Sequence, residues 1–256
     1  VYTHRALFLH SLCLGLADTI ALSEKDVCMP VVPMFHVNAW GLPFAALWMG
    51  AKQVLPGPRP DPHLLCQLIQ DEKVTLAAGV PTVWMGVLQA VEQKGYDLSS
   101  ITRIACGGAA PPRALIEAYE LKLGVPFLHA YGMTEGAPVT HVSRLKSTLE
   151  DLPASERYAK KAKQGVLVPG LDMRVVNPDG AEVAWDGKEM GEMALRGPWI
   201  AGAYYNDERS AETFRDGWYY TGDVVTVDPD GYMQIVDRMK DLVKSGGEWI
   251  SSVDLE

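Results

Sequence analysis

The chain is poor in cysteine and has no long apolar run, and each shortage narrows the class of protein. Its 256 residues include four cysteines, which lie in apolar stretches without a metal-binding spacing, so we expect buried free thiols in a reducing compartment. The most apolar stretch, residues 6–22, is interrupted by His10, Ser11 and Asp18 and lacks the basic leader and cleavage site of a secretion signal. We therefore expect a cytoplasmic protein without a transmembrane segment, and a peripheral association with membranes stays open.

Positive charge is also scarce. Acidic residues outnumber basic ones by 32 to 23, which gives a net charge of −9. Such a surface repels the phosphate backbone, so general nucleic-acid binding is disfavoured. An anionic ligand would need a local cationic patch. The remaining composition, with 48% hydrophobic and 21% charged residues, is ordinary for a globular protein of one or two domains.

Over residues 1–163, short apolar runs alternate with longer helical patterns. This alternation predicts an α/β fold with a mostly parallel sheet covered by helices. The predicted helices span residues 3–20, 38–49, 62–72, 81–94 and 112–123, and the predicted strands span residues 27–32, 74–78, 101–106 and 125–130.

The pattern changes at about residue 164, where short β-like segments are separated by turn signals at residues 177–180 and 228–231. We expect a small antiparallel, barrel-like subdomain over residues 164–238. Residues 239–256 are assigned to a hinge and to the start of a further domain. In the charged segment before residue 164, Lys160, Lys161 and Lys163 are expected to form a solvated face.

The stretch Tyr131-Gly-Met-Thr-Glu135 follows the predicted strand 125–130 and precedes the helix-breaking residues Gly136 and Pro138. It therefore delivers a ring, a hydroxyl and a carboxylate to the end of a strand, where ligands bind in open α/β sheets. A carboxylate there suits a magnesium ion that carries a nucleotide phosphate. An ordinary strand-to-loop turn with a solvated glutamate is the alternative.

Four further stretches each have a functional and an ordinary interpretation. The small-residue stretch 107–112 precedes a helix and fits either a flat ligand on the backbone or a simple turn. Asp223, in Tyr220-Thr-Gly-Asp223, suits ribose hydroxyls but also fits a hairpin. Residues 237–250 indicate a charged hinge rather than a regular element, with a solvated loop as the alternative. His36 lies among apolar residues, where a core or helix-capping histidine is the favoured interpretation.

Together and in this order, these stretches resemble the adenylate-forming superfamily of acyl-CoA synthetases, luciferases and peptide-synthetase adenylation domains. The stretches 34–41, 197–200 and 244–252 look most like those of medium- and long-chain fatty-acid CoA ligases. The resemblance implies that ATP, a fatty acid and CoA are substrates, that Mg²⁺ is required, and that a homodimer of a longer enzyme is an open expectation. A ligase for an aryl or short thioether acid and a nucleotide-binding module without chemistry remain alternatives.

The resemblance also implies roles for individual residues. It makes Glu135 the magnesium ligand, Thr134 a phosphate contact, and His36 the residue between the carboxylate site and the acyl pocket. Lys240 would be the hinge of a small C-terminal domain. The implied ATP or AMP site is Gly108, Ala109, Ala110, Tyr131, Gly132, Met133, Thr134, Asp223 and Arg238. The implied CoA site is Lys244, Gly246 and Gly247, and the implied acyl pocket is His36, Trp40 and Trp249.

The sequence departs from the superfamily pattern at both ends. The glycine-rich phosphate loop is expected before Val1, and the C-terminal domain with its catalytic lysine is expected after Glu256. Neither is present in the 256 residues. We therefore interpret the sequence as an internal fragment that is not fully active by itself.

Overall fold

The chain forms two main sheets in the computed structural model, which describes residues 1–241, 243–245 and 248–250. The larger sheet has seven strands in the order β2-β1-β3-β4-β5-β6-β7. Strands β1 to β5 are parallel, and β6 and β7 continue the sheet antiparallel. The strands are β1 Val27–Pro30, β2 Lys52–Gln53, β3 Leu76–Gly79, β4 Arg103–Cys106, β5 Phe127–Gly132, β6 Val139–Ser143 and β7 Val166–Leu167. The predicted mostly parallel sheet is confirmed.

Both faces of the larger sheet are buried. Along β3, Leu76 and Ala78 pack into one apolar cluster and Ala77 into another. Along β5, Leu128 packs into the first of these clusters and Phe127 into the second. Because successive side chains of a strand point to opposite faces, the two clusters lie on opposite sides of the sheet, as a parallel sheet requires.

The helices that cover this sheet begin at recognisable caps. The Thr3 hydroxyl accepts a hydrogen bond from the Ala6 N–H. The Asp61 carboxylate accepts two, from the N–H groups of His63 and Leu64 in the helix that begins at Pro62. The predicted helices 62–72 and 81–94 are confirmed, whereas the first helix ends at Leu14, earlier than expected. The helices are α1 His4–Leu14, α3 Leu42–Met49, α4 Pro62–Glu72, α5 Pro81–Lys94, α6 Arg113–Glu117 with a π-helical continuation Ala118–Lys122, and α7 Ala154–Ala162. Within the described ranges, no helix has the length and hydropathy to cross a bilayer.

The predicted helix 38–49 is wrong in its first turn. Residues Val37–Trp40 form a single turn, α2, in which all four residues have φ between 49° and 60°. Gly41, with φ of 72°, then leads into α3. Side chains other than glycine are disfavoured in this left-handed region, so local sequence preference did not indicate the turn.

The smaller sheet is antiparallel and curls into a half-barrel. Its order is β10-β11-β9-β8, and β12 also pairs with β11. The strands are β8 Asp172–Val176, β9 Gly191–Arg196, β10 Phe214–Arg215, β11 Trp218–Val227 and β12 Met233–Arg238, and the short helix α8, Ser210–Thr213, precedes β10. The expected barrel-like antiparallel subdomain is confirmed in its architecture.

The expectation that residues 237–250 contain no regular element is wrong for the described part. Strand β12 continues through Arg238, and Asp241 closes a turn onto the Arg238 carbonyl oxygen. Two short strands follow, β13 Val243–Ser245 and β14 Glu248–Ile250, and they pair antiparallel. The end of β12 is held by its ladder with β11, in which Asp237 pairs with Val224 and Arg238 with Asp223.

The three lysines near residue 160 do not form a solvated face. Lys160 and Lys163 both contact Asp228 Oδ2 at 2.8 Å, and Lys161 contacts Glu120 at 2.6 Å. Their side chains are only about one-fifth exposed, at 19%, 20% and 21%. The pairs with Asp228 join the C-terminal end of α7, and Lys163 directly after it, to the turn between β11 and β12.

Three histidines are buried as neutral rings. Burial lowers the pKa of His10 and His141 to about 3, and it lowers the pKa of His129 to about 4. His10 Nε2 accepts a hydrogen bond from the Val139 N–H at 3.1 Å, which requires that nitrogen to be unprotonated. Unfolding at acidic pH therefore lets these rings take up protons that the folded protein excludes.

We expect the protein to lose stability as the pH falls below about 6.5, the pKa of an unfolded histidine. The unfolded state then binds more protons, and each of the three rings costs about 2 kcal/mol at pH 5. His10→Gln, which keeps an acceptor for Val139, should reduce the difference in unfolding free energy between pH 7.5 and pH 5. His4→Gln, at an exposed position, is the control. An equal pH dependence in both variants would contradict the assignment.

Candidate functional site

A cleft of about 300 Å³ opens beyond the carboxyl ends of the parallel strands. Its walls come from the segment after β1, the loop after β4, and the end of β5 with the loop that follows. This is the edge at which open α/β sheets bind ligands. The lining residues are His36, Val37, Trp40, Gly108, Ala130, Tyr131, Gly132, Met133, Thr134, Glu135, Pro138, Val139 and Arg238.

The cleft brings together nine residues that the sequence singled out: His36, Trp40, Gly108, Tyr131, Gly132, Met133, Thr134, Glu135 and Arg238. Ala109 and Ala110 lie exposed in the loop beside Gly108 and do not line the cleft. His36 is exposed and makes no capping bond with its side chain. The expectation of a core or capping histidine is therefore wrong, because His36 is exposed and lines the cleft instead.

The residues predicted near the C-terminal end are only partly described. Lys240 is exposed in the turn after β12 and does not line the cleft. Lys244 lies on β13 and Trp249 on β14, where their backbones pair with each other. Gly246 and Gly247 lie outside the described residues.

Two glycines allow backbone segments to pack closely in the cleft wall. A Cβ atom on Gly132 would lie 2.1 Å from the Pro138 carbonyl oxygen. One on Gly107 would lie 2.5 Å from the Ala130 carbonyl oxygen and 3.2 Å from the Trp40 ring. These backbones approach too closely for any side chain at either position, so both glycines are needed for the shape of the wall.

Trp40 separates the cleft from the apolar core. Its ring lines the cleft and is only 8% exposed. Behind it lies a much smaller apolar cavity of about 10 Å³, bounded by Leu14, Ile20, Trp40, Leu42, Ala105, Ala130 and Val139. The left-handed turn of α2 holds Trp40 between these two spaces.

A hydrogen bond joins the two sheets at the cleft. The Tyr131 hydroxyl, at the end of β5, donates to the Asp223 carboxylate on β11. Arg238, which faces Asp223 across the β11–β12 ladder, places its Nε 3.3 Å from Asp223 Oδ1. Burial raises the pKa of Asp223, although the hydrogen bond from Tyr131 and the charge of Arg238 oppose this. Asp223 therefore stands beside the cleft, in contact with two residues that line it.

The loop that carries Glu135 is held from both sides. The Ala201 N–H donates to the Glu135 carbonyl oxygen at 2.8 Å, and the Tyr2 hydroxyl donates to the Thr134 carbonyl oxygen at 2.6 Å. The Tyr204 hydroxyl donates to Glu135 Oε1 at 2.6 Å. Sequence reasoning did not identify Tyr2 or Tyr204. The adjacent tyrosines at 204 and 205, shortly after the selected stretch 197–200, were the available signal.

The donor set fits a magnesium ion that arrives with a nucleotide. Among the described residues, no group of three or more histidine, cysteine, aspartate or glutamate side chains could enclose a metal. Mg²⁺ does not need such a cage, since it commonly binds one or two carboxylates together with substrate phosphates and water. Glu135, on the cleft wall with a single fixed oxygen, fits that mode of binding.

Comparison with known proteins identifies the family of the chain. Residues 1–205 match the family model described as AMP-binding enzyme. The chain is 53% identical to the long-chain-fatty-acid–CoA ligase of Thermus thermophilus, with 100% of this chain and 48% of that protein covered. It is 43% identical to the medium-chain-fatty-acid–CoA ligase of Ectopseudomonas oleovorans, with 100% and 47% covered.

A solved structure extends the comparison to three dimensions. The O-succinylbenzoate CoA synthetase of Bacillus subtilis, in complex with ATP and a magnesium ion, matches with a TM-score of 0.84 at 26% identity. The match covers 100% of this chain and 50% of that one. The chain therefore belongs to the AMP-binding enzyme family, which confirms the resemblance. It spans about half the length of the curated relatives it matches.

Gly132→Ala should distort the cleft wall, because the added methyl group meets backbone atoms of Pro138 and Val139 that cannot rotate away. We expect a loss of about 1–3 kcal/mol in the free energy of unfolding, as for other overpacked sites. Gly202→Ala, where no atom lies within 4 Å of the new Cβ, should stay within about 0.5 kcal/mol of the parent. Denaturant unfolding measures both, and a harmless Gly132→Ala would refute the close approach.

Proposed function

We propose that this chain belongs to a fatty-acid CoA ligase. Such an enzyme joins a fatty acid to the α-phosphate of ATP, releases pyrophosphate, and then transfers the acyl group from AMP to the thiol of CoA. The observation that carries the proposal is the shared cleft, in which Tyr131 at the end of β5 and Glu135 in the loop after it meet Arg238 of β12. The similarity to two fatty-acid CoA ligases over the whole chain supports it.

The first half-reaction needs charge stabilisation more than covalent help. A fatty carboxylate is a poor acyl donor because its leaving group would be oxide, and bringing it to ATP sets an anion against a polyanion. Mg²⁺, when bound, neutralises phosphate charge. In the proposal Glu135 holds that ion, and the Thr134 hydroxyl donates to a phosphate oxygen. Holding both reactants in one cleft lowers the barrier further, because their relative freedom is lost on binding.

The nucleoside is proposed to lie between the two sheets. The Tyr131 ring is placed against adenine, and Gly108 leaves its backbone open to a flat ligand. The Asp223 carboxylate accepts hydrogen bonds from the ribose hydroxyls, and Arg238 lies beside it. A carboxylate offers about four acceptor positions, so Asp223 can serve a ribose while it keeps the contacts with Tyr131 and Arg238.

The acyl group is proposed to enter past His36 towards Trp40, where the cleft borders apolar core. Lys240 remains the proposed hinge for a rotation that admits CoA, and Lys244, Gly246, Gly247 and Trp249 keep their proposed CoA and acyl roles. The division at residues 163 and 238 is also retained as a proposal, although β7 continues the larger sheet to Leu167. The same holds for the cytoplasmic location and the homodimer.

A substrate panel tests the function in the full-length protein that contains this chain. We expect ATP–pyrophosphate exchange with medium- and long-chain fatty acids, followed by acyl-CoA formation when CoA is added. Exchange that favours aryl or short thioether acids would replace the fatty-acid assignment with another carboxylate. Nucleotide binding without exchange for any acid would indicate a module without chemistry.

Glu135→Gln keeps the shape of the side chain but removes its charge. We expect exchange to fall by at least about 100-fold, since the charge stabilisation that a bound metal supplies is worth several kcal/mol. Glu150→Gln, at an exposed position, is the matched control. The midpoint of thermal unfolding should be similar in both variants. Near-normal exchange in Glu135→Gln would remove this residue from its proposed role.

A further inference from the structure

The carboxylate of Glu135 is held by Tyr204, a residue from a segment between two strands of the smaller sheet. Glu135 follows β5 of the larger sheet, whereas Tyr204 lies between β9 and β10. The Tyr204 hydroxyl reaches across and donates to Oε1 at 2.6 Å. One carboxylate oxygen is thereby fixed, and among the residues that the structure describes no hydrogen bond engages Oε2, which can face a further ligand.

Tyr204 is itself held in place by its surroundings. Its ring packs edge-on against Phe214, with ring centres 5.3 Å apart. Its N–H donates to Ser210 Oγ at 2.8 Å, and the Ala201 N–H on the same segment binds the Glu135 backbone. The neighbouring Tyr205, by contrast, is 81% exposed. Tyr204 therefore contacts Glu135, whereas the side chain of Tyr205 lies in solvent.

The direction of this hydrogen bond follows from the two groups. A carboxylate oxygen only accepts, so the Tyr204 hydroxyl is the donor in the contact with Glu135 Oε1.

We propose that Tyr204 is a positioning residue that orients the Glu135 carboxylate towards the metal ion of a bound nucleotide. This inference rests on the proposed function and extends it to a residue that does not line the cleft. Mg²⁺ demands nearly ideal octahedral geometry, so a ligand that swings freely binds it less well. Partners that orient a metal ligand typically contribute 10- to 100-fold in metal affinity or activity.

The test is Tyr204→Phe in the full-length protein, with Tyr205→Phe as the matched control. Phenylalanine keeps the ring against Phe214 and removes only the hydroxyl. Binding of Mn²⁺, measured by electron paramagnetic resonance in the presence of a non-hydrolysable ATP analogue, should weaken about tenfold in Tyr204→Phe. The Mg²⁺ concentration for half-maximal pyrophosphate exchange should rise to match, with the KM for the fatty acid unchanged. Tyr205→Phe should alter neither quantity.

A double variant separates positioning from a general structural effect. If Tyr204 acts through Glu135, Tyr204→Phe should have no further effect on Mn²⁺ binding in a Glu135→Gln background. Additive losses would overturn the inference. So would a Tyr204→Phe variant that has a lower unfolding midpoint but an unchanged requirement for Mg²⁺.

The outcomes also distinguish this inference from the proposed function. If Glu135→Gln impairs Mn²⁺ binding and exchange while Tyr204→Phe binds Mn²⁺ normally, only the role of Tyr204 is overturned. If Glu135→Gln leaves both quantities intact, the metal site of the proposed function fails first, and the role of Tyr204 fails with it.

Discussion

The hydrogen bond from Tyr131 to Asp223 is the interaction on which the candidate site depends. It links the end of β5 in the larger sheet to β11 in the smaller sheet. Both partners are held by their own ladders, and a buried carboxylate without such a donor would cost free energy. The cleft is therefore a property of how the two sheets meet, and neither sheet could form it alone.

The same junction is reinforced away from the cleft by contacts of a different kind. Lys160 and Lys163 converge on Asp228, and the Gln164 side chain accepts a hydrogen bond from the Ile235 N–H. The backbones of Gly165 and Met233 form an isolated bridge. Partly buried ion pairs contribute little net stability, but leaving one partner unpaired is costly. These contacts therefore favour one orientation of the sheets over others, which is what a site shared between them requires.

How far the sequence predicts this molecule depends on the range of the interactions involved. Helices α4 and α5 were predictable because Pro62, Pro81 and the cap at Asp61 act within one turn. The location of Glu135 and Tyr131 at one sheet edge followed from the order of strands. The ion pairs of Lys160 and the contact of Tyr204 with Glu135 join residues 68 to 70 positions apart, and no local pattern encodes them. The left-handed turn at Val37–Trp40 goes against local preference altogether.

The charges at the cleft explain why a nucleotide would have to bring its own cation. The protein carries a net charge of −9, and the cleft is lined by the acidic residue Glu135 and the basic residue Arg238, with Asp223 beside them. Asp223 lies against Arg238, so these two charges largely offset each other and the Glu135 carboxylate remains. A bare polyphosphate would meet that carboxylate at short range and be repelled. A divalent ion between the two reverses the sign of the interaction. In the proposed function, the orientation of the Glu135 carboxylate by Tyr204 would therefore set how well this part of the site accepts the metal ion of a nucleotide.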